Sequence, residues 1–318
     1  MKLDVTINHH ETLSQIVGVQ DKNLAVFKQY FGIKIAINDN VIITDANKEL
    51  KGLLNDTFET LVYLADSKTP FNERDIIYII KHYEKNGTKD EIIDLYKNRK
   101  RILVTDTGRS IYPKTFNQMK YIDAMNKHDL IFGIGPAGTG KTYLAVAYAA
   151  NLLKTNKIKK IILTRPAVEA GEALGFLPGD LKEKVDPYLI PLYDALYEFL
   201  GKETVDNLSA KGIIEIAPLA YMRGRTLDNA FVILDEAQNT TSTQMKMFLT
   251  RLGFNSKMLI TGDPSQVDLK YNQKSGLKEA ISLLNKMDDL SFISFEKLDV
   301  IRHPLVQKIL ERYESHEN

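Results

Sequence analysis

The chain has 318 residues, of which 44% are hydrophobic, and a formal net charge of +1; that length allows two domains, each with its own core. The absence of cysteine excludes a disulfide framework and zinc ribbons and suits a reducing, cytoplasmic setting. Near neutrality supplies no general attraction to nucleic acid, so any such surface must be a local patch.

The first residues, Met1 to Thr6, alternate like a strand and lack the apolar segment of a signal peptide. No apolar run reaches the roughly 18 residues of a membrane span, so no membrane partner is expected. Residues 1–84 read as a small α+β domain. Leu24 to Phe31 is a short amphipathic helix. Gly32 to Ile37 alternates as a strand, Asn38-Asp39-Asn40 is a turn, and Val41 to Thr44 closes a hairpin. Glu49 to Leu64 places Leu50, Leu53, Leu54, Phe58, Leu61 and Val62 at helical spacing. Asn72 caps a further helix that runs through Tyr83.

Residues 85–112 read as a charged linker. They hold the basic cluster Lys97-Asn98-Arg99-Lys100-Arg101, then Ile102 to Thr105 and a hairpin turn at Asp106-Thr107-Gly108. Such a cluster is either a solvated face or a contact for nucleic acid.

From residue 113 to 318 strands and helices alternate. Leu130 to Ile134 has the length of a buried strand, and Tyr143 to Ala150 is a strong helix former. Between them stands Gly135-Pro136-Ala137-Gly138-Thr139-Gly140-Lys141-Thr142, which fits the phosphate-loop pattern in the strand–loop–helix setting it requires. Glycines let successive N–H groups converge on an anion, and the helix N-terminus adds partial positive charge. Lys141 is placed to reach the β- and γ-phosphates and Thr142 to ligate Mg²⁺. These eight residues and the following Tyr143 are the candidate contacts for a nucleoside triphosphate.

Ile161 to Thr164 and Ile213 to Ile216 add strands, and Phe231 to Leu234 makes another, ending in Asp235-Glu236. Ligands bind at that edge of an open α/β sheet. Asp235 is expected to hold Mg²⁺, directly or through water, and Glu236 to polarise the attacking water. A protein that only binds nucleotide has no need of the second carboxylate. Met258 to Thr261 is a further strand, and Gln266 after it is the candidate sensor of the γ-phosphate. At least five strands with intervening helices imply a mostly parallel sheet covered on both faces. Arg165 to about Glu203, with its glycines and prolines, reads as a functional insertion.

The chain resembles the PhoH-like family, whose core is similar to the first RecA-like domain of superfamily 1 helicases. The resemblance rests on Pro113 to Gln118, the phosphate loop, Thr164 to Glu172, Phe176 to Asp180, Met222 to Thr226, Asp235 to Asn239, Thr261 to Gln266, and Arg302-His303-Pro304, in that order. It implies that Gln118 reads adenine and that Gln266 contacts the γ-phosphate. It places Thr164 and Arg165 on the nucleic-acid backbone and makes Arg302 a candidate for charge stabilisation, with Arg223 and Arg225 as rivals. The N-terminal part is similar to the KH-like domain of bacterial members. No G-x-x-G clamp is present in it, so a protein-docking role stands beside RNA binding there. No nuclease domain of the PIN type follows.

The expectation is an ATP hydrolase coupled to RNA, with Lys141, Glu236, Gln266 and an arginine such as Arg302 in the catalytic roles. Only one RecA-like domain fits after residue 113, which implies a homo-oligomer, a hexameric ring in which a neighbour supplies the arginine. A nucleotide-switched scaffold that docks a ribonuclease or a ribosome-assembly factor is the alternative. A small-molecule kinase suits the Asp-Glu pair less well.

Overall fold

Alternation along Lys2–Thr6 (β1) buries Leu3 and Val5 on one face. In the computed structural model, residues 1–38, 40–166, 181–270 and 272–317 are described, with backbone alone at 181–188, 311, 314, 316 and 317. Asp39, in the expected turn, and residues 167–180, in the motifs beginning at Thr164 and Phe176, lie outside them. The chain divides into two units, Met1–Arg99 with Leu298–Asn318, and Lys100–Lys297.

In the first unit, β1 is followed by α1 (His10–Val17), α2 (Lys22–Phe31), β2 (Ile35–Asn38), β3 (Val41–Thr44), α3 (Lys51–Asp66), α4 (Glu73–Glu84) and α5 (Lys89–Asn98). The three strands form an antiparallel sheet in the order β1-β3-β2. Asn72 caps α4 through a capping box with Asp75. The stretch expected as a linker thus contains a helix. Thr88 and Glu91 start α5 with a reciprocal cap, and Tyr96 on its inner face donates to buried Asp75 at 2.9 Å. Arg99 ends α5 in a buried ion pair with Asp75 at 3.4 Å and lies 4.0 Å over the Tyr96 ring. The basic cluster is therefore split: Arg99 is structural, while Lys97, Lys100 and Arg101 are exposed.

The second unit begins with the hairpin β4 (Leu103–Val104) and β5 (Ser110–Ile111). It continues with α6 (Phe116–Lys127), β6 (Leu130–Ile134), α7 (Lys141–Lys154), β7 (Lys160–Arg165), α8 (Leu181–Leu200), α9 (Lys202–Ala210) and β8 (Ile214–Pro218). Then come β9 (Ala230–Leu234), α10 (Ser242–Leu249), β10 (Lys257–Gly262), α11 (Gly276–Leu284) and β11 (Leu290–Ser294). Six strands pair in parallel in the order β11-β6-β10-β9-β7-β8. The inner strands carry apolar runs because successive side chains enter opposite cores, whereas the edge strands β8 and β11 are mixed. Ile131, Leu163, Ile233 and Leu259 pack with α7 and α8, whereas Phe132, Ile162, Val232 and Ile260 pack with α10 and α11. This is a parallel α/β architecture of the P-loop kind, with helices on both faces of the sheet.

Register brings the functional strand ends together. Gly262 lies opposite Ile134 and Thr164 opposite Leu234, so β6, β7, β9 and β10 end at one edge. The insertion expected from Arg165 to about Glu203 is helical from Leu181, running through Pro187 and Pro191. The last helix, α12 (Pro304–Glu317), belongs to the first unit. Lys308 on it donates to the Gln29 carbonyl at 2.7 Å. The first unit therefore ends at Arg99 and is rejoined by the chain at Leu298.

Candidate nucleotide site

The phosphate-loop sequence forms a tight turn between β6 and α7. Gly135 takes φ 140° and a Cβ there would sit 2.4 Å from the Phe295 carbonyl oxygen, so only glycine fits. Gly140, at φ 83°, opens α7. Lys141 is only 8% exposed. Its ammonium donates to the Gly135 and Pro136 carbonyls, each at 2.7 Å, and to Thr139 Oγ1 at 3.3 Å. A triphosphate entering the loop competes for those three protons.

Across from the loop, Asp235 ends β9. Its Oδ1 accepts from Thr142 Oγ1 at 2.6 Å and from Thr261 Oγ1 at 2.8 Å, which fixes the carboxylate. Its Oδ2 and the Thr142 lone pairs are left as hard oxygen donors. Among the described residues no group of three or more His, Cys, Asp or Glu is placed to hold a metal ion. A hydroxyl plus one carboxylate fits Mg²⁺, which is held by few protein oxygens and completed by substrate phosphates and water.

Glu236 stands in left-handed backbone conformation at φ 52°, a strain of about 1 kcal/mol or more for a residue with a side chain. Both carboxylate oxygens are engaged. Oε2 accepts from Gln238 Nε2 at 2.5 Å, and Oε1 faces Arg165 Nη2 at 3.6 Å. Gln238 is buried and its Oε1 accepts from the Asp263 amide at 3.1 Å, tying Glu236 to the loop after β10. In that loop Asp263 accepts from Ser265 N–H, the Ser265 hydroxyl and Gln266 Nε2, at 3.0, 2.7 and 2.7 Å. Exposed Gln266 is held at the rim. Ala137, Gly138, Gly140, Lys141, Thr142, Tyr143, Asp235, Glu236, Gly262, Asp263 and Gln266 line one cleft of about 250 Å³. Tyr143 is fixed there by donating to Glu198 at 2.8 Å.

Of the residues expected from sequence, the structure gathers Lys141, Thr142, Tyr143, Asp235, Glu236 and Gln266 around this cleft. Gln118 is buried beneath the loop, with Oε1 accepting from the Lys114 amide at 2.7 Å and Nε2 donating to the Thr139 carbonyl at 3.0 Å. It braces the loop, and one amide proton is left to it. Thr164 is fully buried and its hydroxyl has no partner among the described residues, so in this conformation it offers nothing to a strand in solvent. Arg225 is bound to Glu215 through both guanidinium nitrogens at 2.5 and 2.7 Å. The guanidinium holds the Glu215 carboxyl below the usual range, and the carboxylate raises Arg225 in turn. Arg223 is exposed, while Arg302 lies in the first unit. Sequence reasoning missed Gln238, Asp263 and Tyr121. Tyr121 has a fully buried, unpartnered hydroxyl where a Cβ on Gly133 would stand, 2.7 Å away; burial, with Asp235 second, pushes it well above the ordinary phenol range.

The PhoH-like protein profile matches residues 110–314. A PhoH-like protein from Bacillus subtilis is 53% identical over 308 residues, 97% of this chain and 95% of that protein. Protein PhoH from Escherichia coli is 46% identical over 198 residues, 62% of this chain and 56% of that one. Among solved structures, the Pif1 helicase from Candida albicans aligns at 14% identity over 61% of this chain and 42% of that chain, with a TM-score of 0.32. Built on a P-loop nucleotide fold, the chain belongs to the PhoH-like protein family.

Proposed function

We propose that the chain is an Mg²⁺-dependent ATP hydrolase whose turnover is coupled to single-stranded RNA. The observation that carries the reading is the second carboxylate. Glu236 lines the phosphate cleft in a strained backbone conformation, one residue beyond the metal-type carboxylate Asp235. Binding alone requires no such group. In the proposed reaction, water attacks the γ-phosphorus in line and Glu236 orients it. Lys141 and the loop amides steady the phosphates, and Gln266 reports the γ-phosphate. Thr142 and Asp235 would hold Mg²⁺, which when bound offsets charge developing on the phosphate oxygens. Support for the RNA side is Arg165, the last residue of β7 at the strand-end edge, with Arg223 exposed on the same unit. Arg225 is spent on Glu215.

The test is phosphate release from Mg·ATP, with and without single-stranded RNA, using Glu236→Gln as the zero. Stimulation of about tenfold, absent from the variant, is the expected result, a general base being worth roughly 10²–10⁴. Hydrolysis indifferent to RNA points to the nucleotide-switched scaffold. The double engagement of Glu236 favours that alternative to one extent only: it suits slow turnover when nothing else is bound.

A further inference from the structure

We propose that Arg165 is an autoinhibitory clamp on Glu236, released when its guanidinium is taken by a phosphodiester strand. The inference rests on the hydrolytic reading above and names how that site is regulated. A carboxylate can orient water only through an oxygen with a lone pair to spare in the right direction. Here Oε2 accepts from Gln238 at 2.5 Å, and Oε1 faces the Arg165 guanidinium at 3.6 Å. The two restraints differ in kind. Gln238 is 1% exposed, and its other end is fixed by the Asp263 amide at 3.1 Å. A Cβ on Gly262 would stand 2.8 Å from its carbonyl oxygen. It belongs to the interior and cannot be removed by a ligand.

Arg165 is the restraint within reach. It is the last residue of β7, its side chain is 24% exposed, and its pairing distance to Glu236 is longer than a tight charge-assisted contact of about 2.8 Å. A phosphodiester offers the guanidinium two oxygens in the fork geometry it prefers, and so outcompetes a partly solvated carboxylate at 3.6 Å. Arg165 pairs in register with Pro218 at the end of β8, so it stands at the strand-end edge where the cleft opens. The cation that meets the strand is thus the cation that leaves the catalytic carboxylate, which makes nucleic-acid binding and water activation one event.

The experiment is steady-state hydrolysis of Mg·ATP by wild type, Arg165→Ala and Arg165→Lys, each alone, with poly(U) RNA, and with single-stranded DNA of equal length. Thermal unfolding of each variant establishes that it is folded, and Arg165→Lys serves if Arg165→Ala is not. The expected result is that Arg165→Ala hydrolyses ATP several-fold faster than wild type without nucleic acid, and that poly(U) then adds less than about twofold. Arg165→Lys, which keeps the charge without the fork, falls between. Equal stimulation of wild type by DNA identifies the shared phosphodiester as the ligand, and stimulation by RNA alone adds a sugar contact; both leave the clamp in place. A basal rate in Arg165→Ala that is unchanged or lower overturns the proposal, as does full retention of the poly(U) response. Absence of hydrolysis in wild type with and without RNA would instead sink the hydrolytic reading itself. A wild type that hydrolyses without responding to RNA leaves the basal rate of Arg165→Ala to decide about the clamp alone.

Discussion

Glu236 and Arg225 show how much a residue's neighbours decide. Three arginines compete for one role from sequence alone. The structure commits Arg225 to a bidentate pair with Glu215, places Arg302 in the first unit, and leaves Arg223 exposed. Because the Glu215 carboxyl is held below its ordinary value by Arg225, the pair stabilises the fold above the unfolded-state pKa of about 4.3. That contribution is lost as pH falls through the lowered folded value. Arg225→Ala is therefore expected to cost about 0.5–1 kcal/mol at neutral pH after solvent screening. The gap from wild type should close as pH falls below the lowered folded value, where Glu215 is protonated in both states. Denaturant unfolding across that range checks it; a variant equally stable but unable to hydrolyse ATP would give Arg225 a catalytic role instead. The phosphate loop, Asp235 and Glu236 were legible in the sequence because their chemistry is local to a few consecutive residues. Gln238 and Asp263 were not, since their value lies in a hydrogen bond between residues 25 positions apart.

At the scale of elements, period and capping decide what can be read. The strands of the parallel sheet announce themselves as continuous apolar runs such as Phe231 to Leu234, buried on both faces. The α5 helix carries its own start signal, Thr88 with Glu91 three residues on, yet its charged surface composition reads as a linker. The α1 helix is short and has no side-chain cap at His9, and β11 is five residues of mixed character, LSFIS, with only Leu290 buried; neither is announced by a cap or by an apolar run. The end of β10 makes a testable contact. A Cβ on Gly262 would lie 2.7 Å from Leu277 and 2.8 Å from the Gln238 carbonyl oxygen. Gly262→Ala must push both, for about 1–3 kcal/mol of overpacking, and it loosens the Gln238 hold on Glu236. The expected outcome is a lower melting temperature together with a changed kcat; unchanged values of both would show that the β10 end yields freely.

For the whole molecule, one P-loop unit carries the cleft, and a second unit combines the N-terminal α+β fold with the C-terminal helix. All the residues that line the cleft come from one P-loop unit. We therefore propose that the chain works as a ring, with exposed Arg223 the candidate from this unit to complete a neighbour's site. Light scattering with Mg·ATP is expected to give a mass several times 36.1 kDa, while a single-subunit mass would remove the ring from the account.

The central claim is that the cleft hydrolyses nucleotide through Glu236, and the most direct measurement sets binding beside turnover in Glu236→Gln. The account predicts that the variant binds Mg·ATP within about threefold of wild type and releases phosphate at least about 10²-fold more slowly. Turnover at the wild-type rate, with binding intact, would contradict it and assign the attacking water to another group.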